Sequence, residues 1–180
     1  MQVRRVVTAE HADGSSFIAA DEGVAPTVIS QLPGSAFHRL WSSDEHVRFP
    51  SEKPGYVGGT MFPPTEGFRF MFVTFPPDSV RLSPGEIDVD QMAREMAEKL
   101  PSNPGTSDFD PNGYEGNHRT DTVDMCVVLT GEVDLRTDEG IVTLRQGDCI
   151  VQGGARHAWN NRTSEPCVVA FVLVGGTRAR

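Results

Sequence analysis

Residues 118–135 read HRTDTVDMCVVLTGEVDL, and residues 141–174 read IVTLRQGDCIVQGGARHAWNNRTSEPCVVAFVLV. Both are trains of short β-rich runs separated by turn residues. The run 125–129 is apolar. Past Gly131, Val133 and Leu135 alternate with polar neighbours, 137–140 turns the chain, and 141–144 returns as the second arm of a hairpin. Gln146, Gly147 and Asp148 form the next turn and 149–151 the next strand. Gly153 and Gly154 then loosen the backbone before a strand over 156–159. After a further turn over 160–166, the apolar, β-branched run 167–174 predicts a strand buried on both faces. Strands this short, at this spacing, predict an all-β fold in which an antiparallel sheet rolls up on itself.

Upstream, 4–8, 16–20, 36–41 and 68–75 are further strand candidates, each bounded by Gly, Pro, Ser or Asp. Phe68, Phe70 and Phe72 share one strand face and are expected to pack in the core, with the lining of a ligand pocket as the alternative. One helix interrupts the β pattern over 89–100. Asp88 or Asp90 is available as its cap, Met92, Met96 and Leu100 lie on one face, and Pro101 stops it. The Gly-, Pro- and Asp-rich segment 102–117 reads as a loop, placed where a barrel lid would be.

The chain has 180 residues, 38% hydrophobic and 23% charged, a globular balance at the length of one domain. It is read as a single domain over 1–180: amino-terminal strands in 1–84, the helix and loop in 85–117, and core strands in 118–174. With 25 acidic against 16 basic residues, the formal charge of −9 repels a phosphate backbone, so nucleic acid is not an expected partner. No apolar run approaches the ~18 residues of a membrane span. The first fourteen residues are polar where a secretory leader needs an apolar stretch, so a cytoplasmic location without membrane association is expected. Cys126, Cys149 and Cys167 lack metal-site spacing and are expected to be buried thiols.

His118, Thr120 and Asp124 are separated by even intervals and would project from one strand face. His157, from a distant strand, would complete two imidazoles and one carboxylate if the sheet rolls. Such a trio suits a divalent metal with open positions, Fe(II) first, with Zn, Mn and Ni compatible. Spacing alone favours the plainer reading: a solvated His118, a turn residue at Asp124 and a satisfied core histidine at His157. Trp159 should face the same way as His157, and Phe171 is expected to join it, both as pocket or as core. Arg119 and Arg156 alternate away from that face, as surface or subunit contacts or else as holders of a substrate carboxylate. His38 is expected to be structural, His11 and His46 solvated.

Residues 116–161 resemble the two motifs of the cupin superfamily, G(X)5HXH(X)3-4E(X)6G and G(X)5PXG(X)2H(X)3N. His118 falls on the first histidine, Thr120 on the second, Asp124 on the glutamate and Gly131 on the closing glycine. In the second motif Gly147, Gly154, His157 and Asn161 fall into place, with one residue fewer between the two glycines and Gln152 at the proline position. The chain is similar to small single-domain cupins of the cupin 2 conserved barrel type with an HxTDTVD signature. The resemblance implies a jelly-roll barrel, or double-stranded β-helix, with the amino-terminal strands extending one sheet and one peripheral helix. It implies a metal held by His118, Asp124 and His157, with Thr120 able to offer only a neutral hydroxyl and Gln152 reaching into the cavity or satisfying the strand edge. Metal loss through the Thr120 replacement is the alternative.

The expected function is a metal-dependent enzyme on a small aromatic or carboxylic substrate, of oxidoreductase or dioxygenase type. The alternatives are a non-redox lyase, decarboxylase, dehydratase or isomerase, and a non-enzymatic small-ligand binding domain. Similar cupins pair through edge strands, so a homodimer is expected, with the run through Ala20 as its contact.

Overall fold

Alternation in sequence becomes alternation in burial. Along β7 (Thr122–Thr130), Thr122, Asp124, Cys126 and Val128 are buried, while Val123, Met125 and Val127 between them are exposed. The computed structural model describes residues 1–50, 55, 57–83, 85–102, 107–109 and 116–179. A five-stranded antiparallel sheet runs in the order β10 (Cys149–Gly153), β7, β12 (Cys167–Gly175), β4 (Phe68–Phe75), β3 (Ala36–Ser43). A three-stranded sheet runs β11 (Ala158–Asn160), β8 (Glu132–Arg136), β9 (Ile141–Arg145). Met71, Val73, Cys126, Val128, Val169 and Phe171 from the first sheet form one core cluster with Val133, Leu135, Leu144 and Trp159 from the second. This is the rolled antiparallel all-β fold that the strand spacing predicts, in the jelly-roll form that the resemblance implies.

The closing glycine of β7 has a specific cause. Gly131 sits at φ 79°, where a Cβ would stand 2.7 Å from the carbonyl oxygen of Pro166. The predicted hairpin forms between β8 and β9, closed by Thr137 N–H donating to Gly140 O at 2.8 Å. Helix α1 (Val89–Lys99) starts at Asp88, whose side chain accepts from Gln91 N, and ends at the fully buried Leu100.

Several expectations are corrected. β12 is buried on both faces only at its start, over Cys167, Val168 and Val169; beyond that Phe171 and Leu173 are in the core, whereas Ala170 and Val172 are half-buried and Val174 is exposed. Phe68, Phe70 and Phe72 do share a face of β4, but it is the outward one; Arg69, Met71 and Val73 point in. The interior accepts Arg69 because acceptors converge on its guanidinium: Nε donates to Thr60 O at 2.6 Å, Nη1 to Ser43 O at 2.8 Å, and Nη2 pairs with Asp44 at 2.5 Å. The displaced phenylalanines stack edge-on, Phe68 against Trp41 at 5.2 Å and Phe70 against Phe72 at 5.7 Å.

β3 and β4 extend the large sheet as expected, but β1 (Val3–Glu10) and β2 (Ser16–Val24) pair only with each other. The segment read as a loop over 102–117 contains β5 (Ser107–Phe109), paired with β6 (His118–Thr120); its residues 103–106 and 110–115 lie outside the described ones. Cys126 and Cys167 are buried, but Cys149, on the outward side of β10, is exposed. No helix among the described residues is long and apolar enough to cross a membrane.

Candidate functional site

Part of the barrel interior is not filled by the core. There a cavity of about 490 Å³ opens between inward side chains of β4 and β12 and the inner face of α1. Met71, Val73, Phe75, Trp159, Phe171 and Leu173 give it an apolar wall, Met92, Met96 and Leu100 a second one. His118, His157 and Asp124 supply a polar patch on the same cavity. The two distant segments singled out in the sequence therefore do meet.

The imidazoles meet through their backbones. His118 N–H donates to His157 O and His157 N–H to His118 O, each at 2.9 Å, an isolated antiparallel bridge that sets the ring centroids 4.4 Å apart. Nδ1 of His118 lies 2.8 Å from Gly116 O, and Nδ1 of His157 lies 2.9 Å from Ala155 O. A carbonyl can only accept, so Nδ1 carries the proton and Nε2 is the unprotonated nitrogen of each neutral ring. Burial lowers both pKa values. His157 falls to about 4, pushed further by neighbouring His118 and opposed by the Ala155 carbonyl. His118 is lowered by burial and by Arg156, against the Gly116 carbonyl. Trp159 stands edge-on to His157 at 6.2 Å.

Asp124 is buried on β7 opposite Gln152 of β10. Its carboxylate accepts from Thr122 Oγ1 at 2.5 Å, and that hydroxyl lies 2.7 Å from Thr120 Oγ1. Burial raises the Asp124 pKa to about 6, against the hydrogen bond from Thr122. Thr120 and Gln152 are buried but are not among the residues lining the cavity, unlike Trp159 and Phe171. Gln152 Nε2 has no hydrogen-bond partner among the described residues.

Thr122 escaped the sequence reading although it shares the even spacing of Thr120 and Asp124; the family motif assigns it nothing. Arg81 was also missed. It lines the cavity from a short turn, with Nη2 donating to Trp159 O at 3.0 Å and pairing with Asp78 at 2.9 Å. No local sequence signal marks it. Arg119 and Arg156 both turn to Asp108 of β5, at 3.0 and 2.8 Å, in keeping with their expected orientation away from the cavity. Asn161 is wholly buried and structural: Nδ2 donates to Phe75 O and Glu165 O, and its backbone N–H donates to Asp78. His38 is buried outside the site, and His11 and His46 are exposed.

Two parts of the donor set fit a divalent metal to different degrees. The histidines do fit, since a ring held by an Nδ1–H to a backbone carbonyl is oriented and basic at Nε2, the usual state of an imidazole ligand. The carboxylate does not complete them: among the described residues, no three His, Cys, Asp or Glu side chains gather closely enough to hold one ion.

Residues 105–174 match the cupin domain family. The Phomopsin biosynthesis cluster protein C' of Diaporthe leptostromiformis is 46% identical over 57 residues, 31% of this chain and 30% of that protein. The Oryzines biosynthesis cluster protein J of Aspergillus oryzae is 42% identical over 55 residues, 30% of this chain and 31% of that protein. The matched segment thus spans about a third of the length of these relatives. Among solved structures, a cupin 2 conserved barrel domain protein from Salinispora arenicola covers 82% of this chain and 81% of its own, at 14% identity and a TM-score of 0.39. The matched segment holds both histidines and the closing glycine, so residues 105–174 are what this chain shares with the cupin domain family, of the cupin 2 type.

Proposed function

We propose that this cupin is a metal-dependent enzyme acting on a small organic molecule inside its barrel, an oxidoreductase of dioxygenase type. The observation that carries the reading is the His118–His157 pair, two neutral imidazoles fixed in one tautomer and facing a largely apolar cavity. His118 and His157 would hold the metal, Fe(II) before Zn, Mn or Ni, with Asp124 on the same cavity as the available anionic group. When bound, the metal supplies Lewis acidity and open positions for oxygen or substrate. The chain's own part is to exclude water with the apolar walls, to keep both imidazoles unprotonated at Nε2, and to hold or release a proton at the Asp124 carboxyl. The same apparatus would serve a non-redox lyase or isomerase, and dependence of turnover on oxygen separates the two.

A second reading, small-ligand binding without catalysis, is favoured by one observation: Asp124 is engaged by Thr122 and is not gathered with the two imidazoles. Elemental analysis of untagged protein decides between them. The expected result is about one equivalent of divalent metal in the wild type and its loss in His118→Ala and His157→Ala. Equal metal content in wild type, both variants and Asp124→Ala removes the metal site.

A homodimer belongs to the same proposal. The outward positions of β7, β12 and the edge strand β10, among them Val123, Met125, Val127, Val174 and Val151, carry no charged side chain, and those five are more than a third exposed. An apolar face of this kind on a chain of net charge −9 suits a second copy, whose own uncharged face removes no solvated charge on contact.

A further inference from the structure

The cavity has an uneven chemistry. Four of the chain's six methionines line it, Met61, Met71, Met92 and Met96, together with aromatic and aliphatic side chains. Methionine is unbranched and polarizable, and it shapes walls that adapt to irregular apolar guests. Charged groups are sparse on the same wall. Among the described lining residues, Arg81 is the one arginine or lysine, and it is already bound to Asp78 and to the Trp159 carbonyl. A phosphate or a polyhydroxylated sugar brings several acceptors and hydroxyls that such a wall leaves without partners, at a cost for each. At the opposite extreme, the polar patch is made of acceptors: the unprotonated Nε2 nitrogens and the Asp124 carboxylate.

The second apolar wall is tied to the barrel by polar contacts as well as by the buried Leu100. Helix α1 is tied to 28–31 through Gln91 Nε2 to Ser30 Oγ at 3.0 Å, Ser30 N to Glu95 at 2.9 Å and Lys99 Nζ to Val28 O at 3.2 Å. Its Met92 and Met96 line the cavity yet are only half-buried, so the space beneath them is not filled by the protein's own side chains.

We infer that the barrel takes a predominantly hydrocarbon molecule with a single hydroxyl head, a phenol or an alcohol: the head lies at the His118, His157 and Asp124 end, and the hydrocarbon body lies against the methionines of 61, 71 and α1. This rests on the reading of the cavity as the substrate site and narrows the substrate class from aromatic or carboxylic compounds in general. Met96 and Met92 then set the length of molecule accepted.

The test is isothermal titration of the full chain, as purified, with 4-alkylphenols from 4-methylphenol to 4-hexylphenol, beside glucose 6-phosphate. Affinity is expected to rise about 4-fold per added methylene until the cavity is full. The heat-capacity change becomes more negative along the series. Met96→Trp adds bulk to the wall and ends the rise at a shorter alkyl chain, while its melting temperature reports an intact fold. Should that variant not fold, the wild-type series alone decides. Affinity independent of alkyl length, tighter binding of glucose 6-phosphate, or no binding of any alkylphenol overturns the inference. Titration reads binding without turnover. A length gradient in protein that proves metal-free and inactive therefore keeps the inference and removes the enzymatic proposal, whereas turnover of a polar substrate with a flat phenol series does the reverse.

Discussion

Replacing Asp124 by Asn should change how stability depends on pH, and the size of the change follows from its surroundings. Asp124 is 5% exposed, and burial raises its pKa from 3.8 to about 6 in the folded chain, against the hydrogen bond that Thr122 donates to it. Because the folded pKa lies above the unfolded one, the folded state holds the proton more tightly between these values. Stability from this group is fully present below pH 3.8 and is lost as pH rises through about 6. The gap is about two pH units at 1.36 kcal/mol each, roughly 3 kcal/mol. Asparagine keeps the acceptor for Thr122 and brings two N–H donors that need partners, but their cost does not vary with pH. The informative quantity is therefore the difference in unfolding free energy between Asp124→Asn and wild type, measured by urea titration at each pH from 4 to 8 in a chelator. That difference should move in favour of the variant by roughly 3 kcal/mol across the range, nearly all of it below pH 7. A flat difference, or one that moves in favour of the wild type, refutes the claim that this carboxylate is buried without compensating charge.

His157 should act in the opposite sense. Its folded pKa, lowered to about 4 from 6.5, gives stability that is present above pH 6.5 and lost as pH falls through 4; relative to His157→Asn, the wild type should lose roughly 3 kcal/mol over that interval, read by the same urea titrations. The outward apolar face can be tested by Val127→Lys, a charge at the centre of β7 on a 38% exposed site that leaves the inward set untouched. Sedimentation velocity should show wild-type dimer and variant monomer with an unchanged melting temperature, and identical sedimentation of both proteins excludes this face as the dimer contact.

Much of the large-scale plan was readable because strand and turn chemistry is local. The hairpin at 137–140, the cap at Asp88 and the stop at Pro101 each depend on a few adjacent residues, and all lie where their residue types require. What could not be read was which face of an ambiguous strand turns inward. In β4 both alternating sets contain apolar residues, Phe68, Phe70 and Phe72 against Met71 and Val73, so period 2 gives no answer. The decision came from Arg69, whose acceptors at Ser43, Asp44 and Thr60 lie 9 to 26 positions away and exist as a set only after folding.

The candidate site divides along the same line. His118 and His157 were legible as a pair from strand alternation and their places in the two family motifs; the bridge of two backbone hydrogen bonds and the carbonyls that fix each ring appear only in the folded chain. Asp124 was legible in position but not in state. Whether it is a metal ligand or a buried acid depends on Thr122, which takes its Oδ1, and on the distance to the imidazoles across the barrel, a tertiary quantity. The Thr120 replacement of the family's second histidine is then more than the loss of one donor. Thr120 and Thr122 form a hydroxyl chain that ends on Asp124, so the position that would have supplied a metal-binding nitrogen instead supports the hydrogen bond that holds the carboxylate to its own strand. A metal held through Asp124 Oδ1 would compete with that chain. If the proposed metal takes that oxygen, its affinity should rise when Thr122 is replaced by Val, a change that removes the hydroxyl while keeping the β-branched shape. Weaker metal binding by Thr122→Val would mean that the threonine chain orients the carboxylate toward the ion instead of restraining it.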